Sequence, residues 1–178
     1  MVMRYSLPLL LCLSAFAAPA HAADLSTIGC IAEKLPLTVK AQIVVDVERN
    51  LTETGTKHSY APAALQAVRA AANACASENK WPDAAVRPAM LYTLAKLGWP
   101  TAQRVATARG LDPAALEEAW GALPEETRNV PLTAEVNGQL ADAVVAQADR
   151  TPEKAELVGE FFGFLSLIQY TSYEFSQA

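Results

Sequence analysis

The chain of 178 residues carries 14 basic and 19 acidic side chains, which gives a net charge of −5 at neutral pH. Such an acidic balance repels phosphate backbones and anionic lipid head groups, so we expect neither nucleic acid nor a membrane surface as a partner. The chain is rich in alanine, the best helix former, and only 7% of its residues are aromatic. This composition favours an all-α fold.

The first 22 residues have the order of features that is typical of a secretory signal peptide. A single arginine precedes an apolar run over residues 7–18, and small residues follow where a signal peptidase would cut. The apolar run is about half as long as a membrane-spanning helix. We therefore expect cleavage between Ala22 and Ala23, and a mature domain of residues 23–178 in the periplasm or outside the cell.

Cleavage would remove Cys12 and leave only Cys30 and Cys75 in the mature chain. Two cysteines in an oxidising compartment are most simply interpreted as one disulfide, and closing a loop of about 46 residues would stabilise the fold by roughly 4 kcal/mol. Two free thiols or a redox pair are the alternatives. The wide spacing lacks the Cys-x-x-Cys geometry that activates a thiolate, so we predict a structural bond that ties the start of the chain to its third helix.

The first periodic segment of the mature chain, Leu37–Val47, fits two structures. Its apolar residues alternate as in a strand, but Val39, Ile43 and Val47 also fall on one face of a helix. A lone strand would leave its backbone unpaired, and no second strand is visible. We therefore predict a helix.

Further helices follow, and prolines precede or open most of them, as expected for the first helical turn. In the segment Tyr60–Ser77 the apolar residues share a face that includes Cys75, so this cysteine should be buried. The segment Ala84–Leu97 is predicted to stop at Gly98-Trp99-Pro100. Shorter helices are predicted over residues 101–109, 113–123 and 132–148.

The last predicted helix, Pro152–Ser172, is the most apolar part of the mature chain. Its apolar residues cover most of the circumference, so we expect a central core helix that is buried on nearly all sides. The alternatives are a homodimer interface or one wall of a pocket for an apolar ligand. Gly159 and Gly163, one turn apart, should allow another helix to approach closely. Glu160 and the short length argue against a membrane span.

Residues Gln103 to Leu116 resemble the core of bacterial helix-turn-helix segments, with a small residue in the first helix, Gly110 in the turn and an apolar anchor in the second helix. The second helix would read the DNA, but it offers Glu117 and Glu118 and no lysine or arginine. Carboxylates are repelled by a groove lined with phosphates. We therefore interpret the segment as a plain helical hairpin.

Candidate catalytic residues are few. His58 is the only histidine of the mature chain, so a site with several histidine ligands is excluded, and there is no Gly-x-Ser-x-Gly elbow or glycine-rich phosphate loop. Glu48, Glu53 and His58 are the least implausible catalytic or metal-binding group, although their spacing fits no known ligand pattern. We expect His58 to be an exposed loop residue, and we predict no catalytic, cofactor-binding or metal-binding residue.

Together these observations predict a single compact all-α domain of about six to seven helices with one disulfide. The function they favour is that of an exported binding or interaction domain without catalytic machinery. Its partner would be an unknown protein or a small apolar ligand, and a homodimer through the C-terminal helix is a further option. A periplasmic hydrolase that uses carboxylates is the competing hypothesis.

Overall fold

The structure is a computed structural model that describes residues 22–53, 55, 57–146, 149 and 151–178. The predicted signal peptide lies outside the described residues, apart from Ala22. Across the described residues the chain is all-helical, without strands, which confirms the predicted fold class and the helix at residues 37–47. The helices are α1 (Cys30–Lys34), α2 (Leu37–Thr52), α3 (Pro62–Asn79), α4 (Asp83–Ala108), α5 (Pro113–Gly121), α6 (Glu125–Arg128), α7 (Ala134–Val144) and α8 (Pro152–Gln177).

Most of the longer helices begin where the sequence signals a start. Pro62, Pro113 and Pro152 stand at the first position of α3, α5 and α8, where the missing N–H has no helical partner to lose. The side chains of Asp112 and Thr151 accept a backbone N–H from the first turn of α5 and α8. These local contacts explain why the starts of these helices were predictable.

Several predicted bounds differ from the structure, because α8 continues past Ser172 to Gln177, α7 ends at Val144, and the described residues form eight α-helices where six to seven were expected. The largest difference lies inside α4. The motif Gly98-Trp99-Pro100 does not end a helix, because α4 continues through it to Ala108 with Pro100 inside. A proline inside a helix deprives the carbonyl four residues earlier of its N–H partner, and here that carbonyl belongs to Lys96. Lys96 and Pro100 are both exposed, so water can solvate the freed carbonyl. Gly98 lies on the other, buried face, and the packing of that face outweighs the lost hydrogen bond.

The predicted hairpin after this helix is present. Gly110 has a φ of +74°, a conformation that glycine adopts without strain, and it turns the chain from α4 into α5. The side chains of Gln103 and Glu117 form a hydrogen bond of 2.9 Å between the two helices.

Helix α8 is a core helix, as predicted. Phe161, Phe162 and Phe175 are fully buried, and α8 makes its most extensive contact with α4. Its apolar side chains belong to the protein's own core, and the homodimer through this helix stays a prediction. Among the helices of the described residues, none combines the length and the apolar character that crossing a bilayer requires.

Three helices meet closely at Gly98. A Cβ atom added to this glycine would lie 2.8 Å from Cε1 of Phe164 on α8 and 2.9 Å from Cγ2 of Val47 on α2. Real Cβ atoms essentially never come within 3.0 Å of another heavy atom in this way, so the approach needs a residue without a side chain. The relative positions of α2, α4 and α8 therefore depend on this glycine.

The predicted disulfide is present between Cys30 of α1 and Cys75 of α3. The two Cα atoms are 6.0 Å apart, within the range that a disulfide spans. Cys75 is fully buried, as its position on the helix predicted. A salt bridge of 2.8 Å between Lys34 and Glu78 joins the same two helices.

We expect Gly98→Ala to lower the free energy of unfolding by up to about 2 kcal/mol. Overpacking costs about 1–3 kcal/mol and exceeds the gain of about 1 kcal/mol in helix propensity. Gly138→Ala in α7 is the matched control, because its added Cβ meets no atom within 4 Å and should stabilise by about 0.5–1 kcal/mol. Chemical denaturation measures both effects. Stabilisation by both substitutions would contradict the close approach at Gly98.

Candidate functional site

The loop between α2 and α3 is held by polar side chains of α2. Asp46 is fully buried, and its Oδ2 accepts the backbone N–H of Ala61 at 2.7 Å. Its Oδ1 accepts hydrogen bonds from Arg49 at 3.0 Å and from Gln42 at 3.1 Å. A buried carboxylate is tolerated only when its oxygens are paired in this way. Asp46 therefore fixes the end of the loop at the point where α3 begins.

Ser59 is anchored to the same helix. Arg49 donates to the Ser59 carbonyl oxygen at 2.6 Å and to its hydroxyl at 3.1 Å. The Asn50 side chain donates to that carbonyl at 3.0 Å and accepts the Ser59 N–H at 3.2 Å. The backbone on both sides of Tyr60 is thus bound to α2, which determines where Tyr60 and the neighbouring His58 lie.

The earlier part of the loop contacts two carboxylates of α8. The backbone N–H of Gly55 donates to Oε1 of Glu156 at 2.9 Å. The Nε2 atom of His58 lies 3.4 Å from Oε1 of Glu160, and the two side chains are 39% and 32% exposed. His58 is therefore the exposed loop residue that the sequence predicted, but it also faces a carboxylate from the core helix.

A cleft of about 160 Å³ lies between this loop, α4 and α8. Its polar lining consists of His58, Tyr60 and Glu160, and the rest of the wall is apolar or glycine. The wall residues from the two helices are Leu91, Leu94 and Ala95 of α4, and Gly163, Phe164 and Leu167 of α8. A cavity of about 150 Å³ accommodates benzene, whereas drug-sized ligands need about 300 Å³ or more. The cleft therefore fits a single ring or a short branched chain.

Three larger depressions on the described surface are less suited to hold a ligand. They measure about 360 Å³ near Arg87 and Tyr173 at the end of α8, about 420 Å³ beside the disulfide near Glu33 and Lys34, and about 250 Å³ near Arg109 and Lys154. All three are more open to solvent, and the one beside the disulfide is mainly polar. Binding sites for small molecules are usually concave and mostly apolar, with a few converging polar groups, and the cleft matches that description better.

Burial perturbs the pKa values of Glu160 and Tyr60, two ionisable groups of the cleft. Burial raises the pKa of Glu160 above its usual range; the nearby His58 lowers this pKa and Glu156 raises it. Burial also raises the pKa of the Tyr60 hydroxyl, and the negative charges of Asp46 and Glu160 add to the effect. Tyr60 therefore stays protonated at neutral pH, and the charge of Glu160 is only partly compensated inside the protein.

The two glycines of α8, Gly159 and Gly163, have different surroundings. A Cβ atom on Gly159 would lie 2.8 Å from Nδ2 of Asn137, so α7 approaches the backbone of α8 there, as predicted. A Cβ atom on Gly163 would meet nothing within 4 Å. Since Gly163 lines the cleft, the missing side chain leaves open space in the cleft instead of admitting a helix.

The structure does not gather Glu48, Glu53 and His58 into one site. Glu48 forms a salt bridge of 3.0 Å with Arg104, and Glu53 lines a crevice of about 10 Å³ that also includes Glu160. The described residues contain no group of three or more His, Cys, Asp or Glu side chains that could hold a metal ion.

Sequence reasoning missed Tyr60 and Glu160 as members of a site. The contact between His58 and Glu160 joins residues about 100 positions apart, so no local spacing could reveal it. One signal was present, because Glu160 is a charged residue in the middle of the most apolar helix. On the sequence alone, Glu160 indicates only that this helix does not span a membrane.

No known protein family, curated protein or solved structure matches the chain. The contacts around the cleft are therefore the basis for assigning a function.

We expect Asp46→Ala to lower the free energy of unfolding by about 2–3 kcal/mol, because the buried N–H of Ala61 would lose its acceptor. Chemical denaturation measures this loss, and hydrogen exchange at the Ala61 amide should become faster. Glu118→Ala on the exposed surface of α5 is the control, with an expected change within about 0.5 kcal/mol. An unchanged exchange rate at Ala61 would show that Asp46 does not hold the loop.

We expect Glu160→Gln to stabilise the protein at neutral pH. The raised pKa of Glu160 means that the folded state favours the protonated carboxyl, so stability falls as pH rises through the range above the usual glutamate value. Below that range the carboxyl is neutral in both states, and the advantage of glutamine disappears. His58 and Tyr60 share the cleft with this carboxyl, and the adjoining crevice adds the charged side chains Glu53, Glu153, Glu156 and Arg109.

The difference in unfolding free energy between the variant and the wild type should therefore grow as the pH rises above the usual glutamate value. Denaturation at a series of pH values measures it. Glu174→Gln, an exposed position on the same helix, is the control. A difference that stays constant or shrinks with rising pH would contradict the raised pKa of Glu160.

Proposed function

We propose that this protein is an exported, non-enzymatic helical domain that binds a small, mostly apolar ligand in the cleft between the α2–α3 loop, α4 and α8. The cleft itself is the observation that carries the proposal. Apolar side chains from two core helices and three polar side chains converge on one volume of about 160 Å³. Such a combination of apolar walls and few polar groups is typical of sites that bind small molecules.

Two features support the export of this protein. The first 22 residues follow the pattern of a signal peptide. The bond between Cys30 and Cys75 is of a kind that persists in oxidising compartments and is rare in the cytosol. Both features fit a protein that meets its ligand in the periplasm or outside the cell.

The geometry favours binding over the competing hypothesis of a carboxylate-dependent hydrolase. That hypothesis relied on Glu48, Glu53 and His58, but Glu48 pairs with Arg104 instead of joining the cleft. The cleft offers apolar contact area and hydrogen-bonding groups, which are what a ligand needs to be held and oriented. A protein partner for this domain stays a prediction.

The small volume of the cleft limits the affinity that a ligand can reach. A gain of about 0.5–0.7 kcal/mol per non-hydrogen atom lies within the range known for small ligands, and it gives a one-ring probe of about eight such atoms a dissociation constant on the order of 0.1–1 mM. Saturation at about ten times that constant should stabilise the folded state by about 1.4 kcal/mol.

Benzyl alcohol, a neutral one-ring probe, should therefore raise the melting temperature of the wild type by a few degrees. Gly163→Leu should abolish this response, because the new side chain fills the cleft from the open side of α8. Thermal denaturation with increasing probe concentration measures the response.

Gly163→Ala is the matched control, since one methyl group fits the open space and should stabilise the helix by about 0.5–1 kcal/mol while the probe still binds. The melting temperature of each variant without the probe shows whether it is folded, so that misfolding is not mistaken for a lost response. If the leucine variant responds to the probe as strongly as the wild type, the ligand site is not the cleft.

A further inference from the structure

Glu160 is the one acidic side chain that lines the cleft, and the described residues around the cleft include no lysine or arginine. His58 is the one basic side chain of the lining, and its Nε2 atom lies 3.4 Å from Oε1 of Glu160. A bound ligand would therefore meet the carboxyl group of Glu160 without a competing lysine or arginine.

Acidic side chains next to the cleft add to the negative potential of Glu160. Glu160 also borders the small crevice that includes Glu53, Glu153 and Glu156, with Arg109 as its one cationic side chain. Hydrogen bonds from its own backbone amide and from Thr151 lower the pKa of Glu153, so its charge persists at neutral pH. Lys154 lines the neighbouring depression with Arg109 and Glu153, so the four acidic side chains beside the cleft outnumber two basic ones.

Two aromatic side chains, Tyr60 and Phe164, complete the lining. Aromatic rings attract cations through their electron-rich faces, most strongly where water is excluded. The phenolic oxygen of Tyr60, which stays protonated, can also accept a hydrogen bond from an ammonium group. These groups add to Glu160 in favouring a positively charged ligand.

From these observations we infer that the ligand is a small organic amine, whose ammonium group lies beside Glu160 and Tyr60 and whose apolar part fills the cleft between α4 and α8. This inference rests on the proposed function, because it names the chemical class of ligand for the same cleft.

The physical reason is the cost of covering Glu160. Its side chain is 32% exposed, and a ligand without a hydrogen-bond donor would remove part of the remaining water from the carboxylate without replacing the lost hydrogen bonds, and a neutral hydroxyl would replace them only with a weaker contact. An anionic ligand would add repulsion. An ammonium group instead supplies a charge-assisted hydrogen bond, which is among the stronger polar contacts in proteins.

The test compares three probes of nearly the same size on the full mature protein: benzylamine, benzyl alcohol and benzoate. Isothermal titration calorimetry at neutral pH should show that benzylamine binds about tenfold or more tightly than benzyl alcohol, a factor expected for one charge-assisted hydrogen bond. Benzoate should bind more weakly than benzyl alcohol. Gly163→Leu should abolish binding of all three probes.

Glu160→Gln should remove the preference for benzylamine over benzyl alcohol, because the amide keeps the shape of the site but not the negative charge. Glu174→Gln is the matched control: it removes a carboxylate from the same helix about 21 Å further along and should keep the full preference. Far-ultraviolet circular dichroism of each variant checks that it is folded.

The outcomes separate the inference from the proposed function. If benzyl alcohol or benzoate binds wild type as tightly as benzylamine, or if Glu160→Gln keeps the preference, the assignment of an amine ligand is wrong while the cleft remains a binding site. If none of the three probes binds the wild type, or if all bind Gly163→Leu equally well, the proposed function fails and the inference fails with it.

Discussion

The close approach of three helices at Gly98 is the constraint on which the candidate site depends. Phe164 contacts the position of the missing side chain and also forms part of the cleft wall. Val47, the other contact, directly follows Asp46, the buried carboxylate that holds the α2–α3 loop. A larger side chain at residue 98 would therefore displace both Phe164, which forms part of the cleft wall, and the part of α2 that holds the loop. The cleft takes its shape from core packing more than from the loop itself.

Two residues of α8 lower the stability of the fold at the same place. Glu160 carries a charge that burial disfavours, and Gly163 is a glycine inside a helix, a position where alanine would be more favourable. They are three residues apart and both line the cleft. Residues that oppose stability tend to be retained where function needs them. Because both residues line the same cleft, the cleft is a place where the sequence departs from the choices that would stabilise the fold most.

The fold was largely predictable because its signals are local. Prolines and capping side chains mark the starts of α3, α5 and α8, and the periodicity of the apolar residues placed Cys75 on a buried face. The wrong break at Pro100 arose because the burial of Gly98 against other helices is a tertiary effect that no local pattern records. The site was less predictable for the same reason. His58 was identified as the one remaining histidine, but its partner Glu160 comes from a distant helix.

The disulfide gives the cleft an unusual connectivity. Helix α2 and the loop that carries His58 and Tyr60 lie between Cys30 and Cys75 and so belong to a covalent ring. Helices α4 and α8 follow the ring, so the two sides of the cleft come from topologically different parts of the chain. A single proteolytic cut in the loop, for example after the exposed Lys57, would open the ring without releasing a fragment. The nicked protein would remain one molecule until the disulfide is reduced.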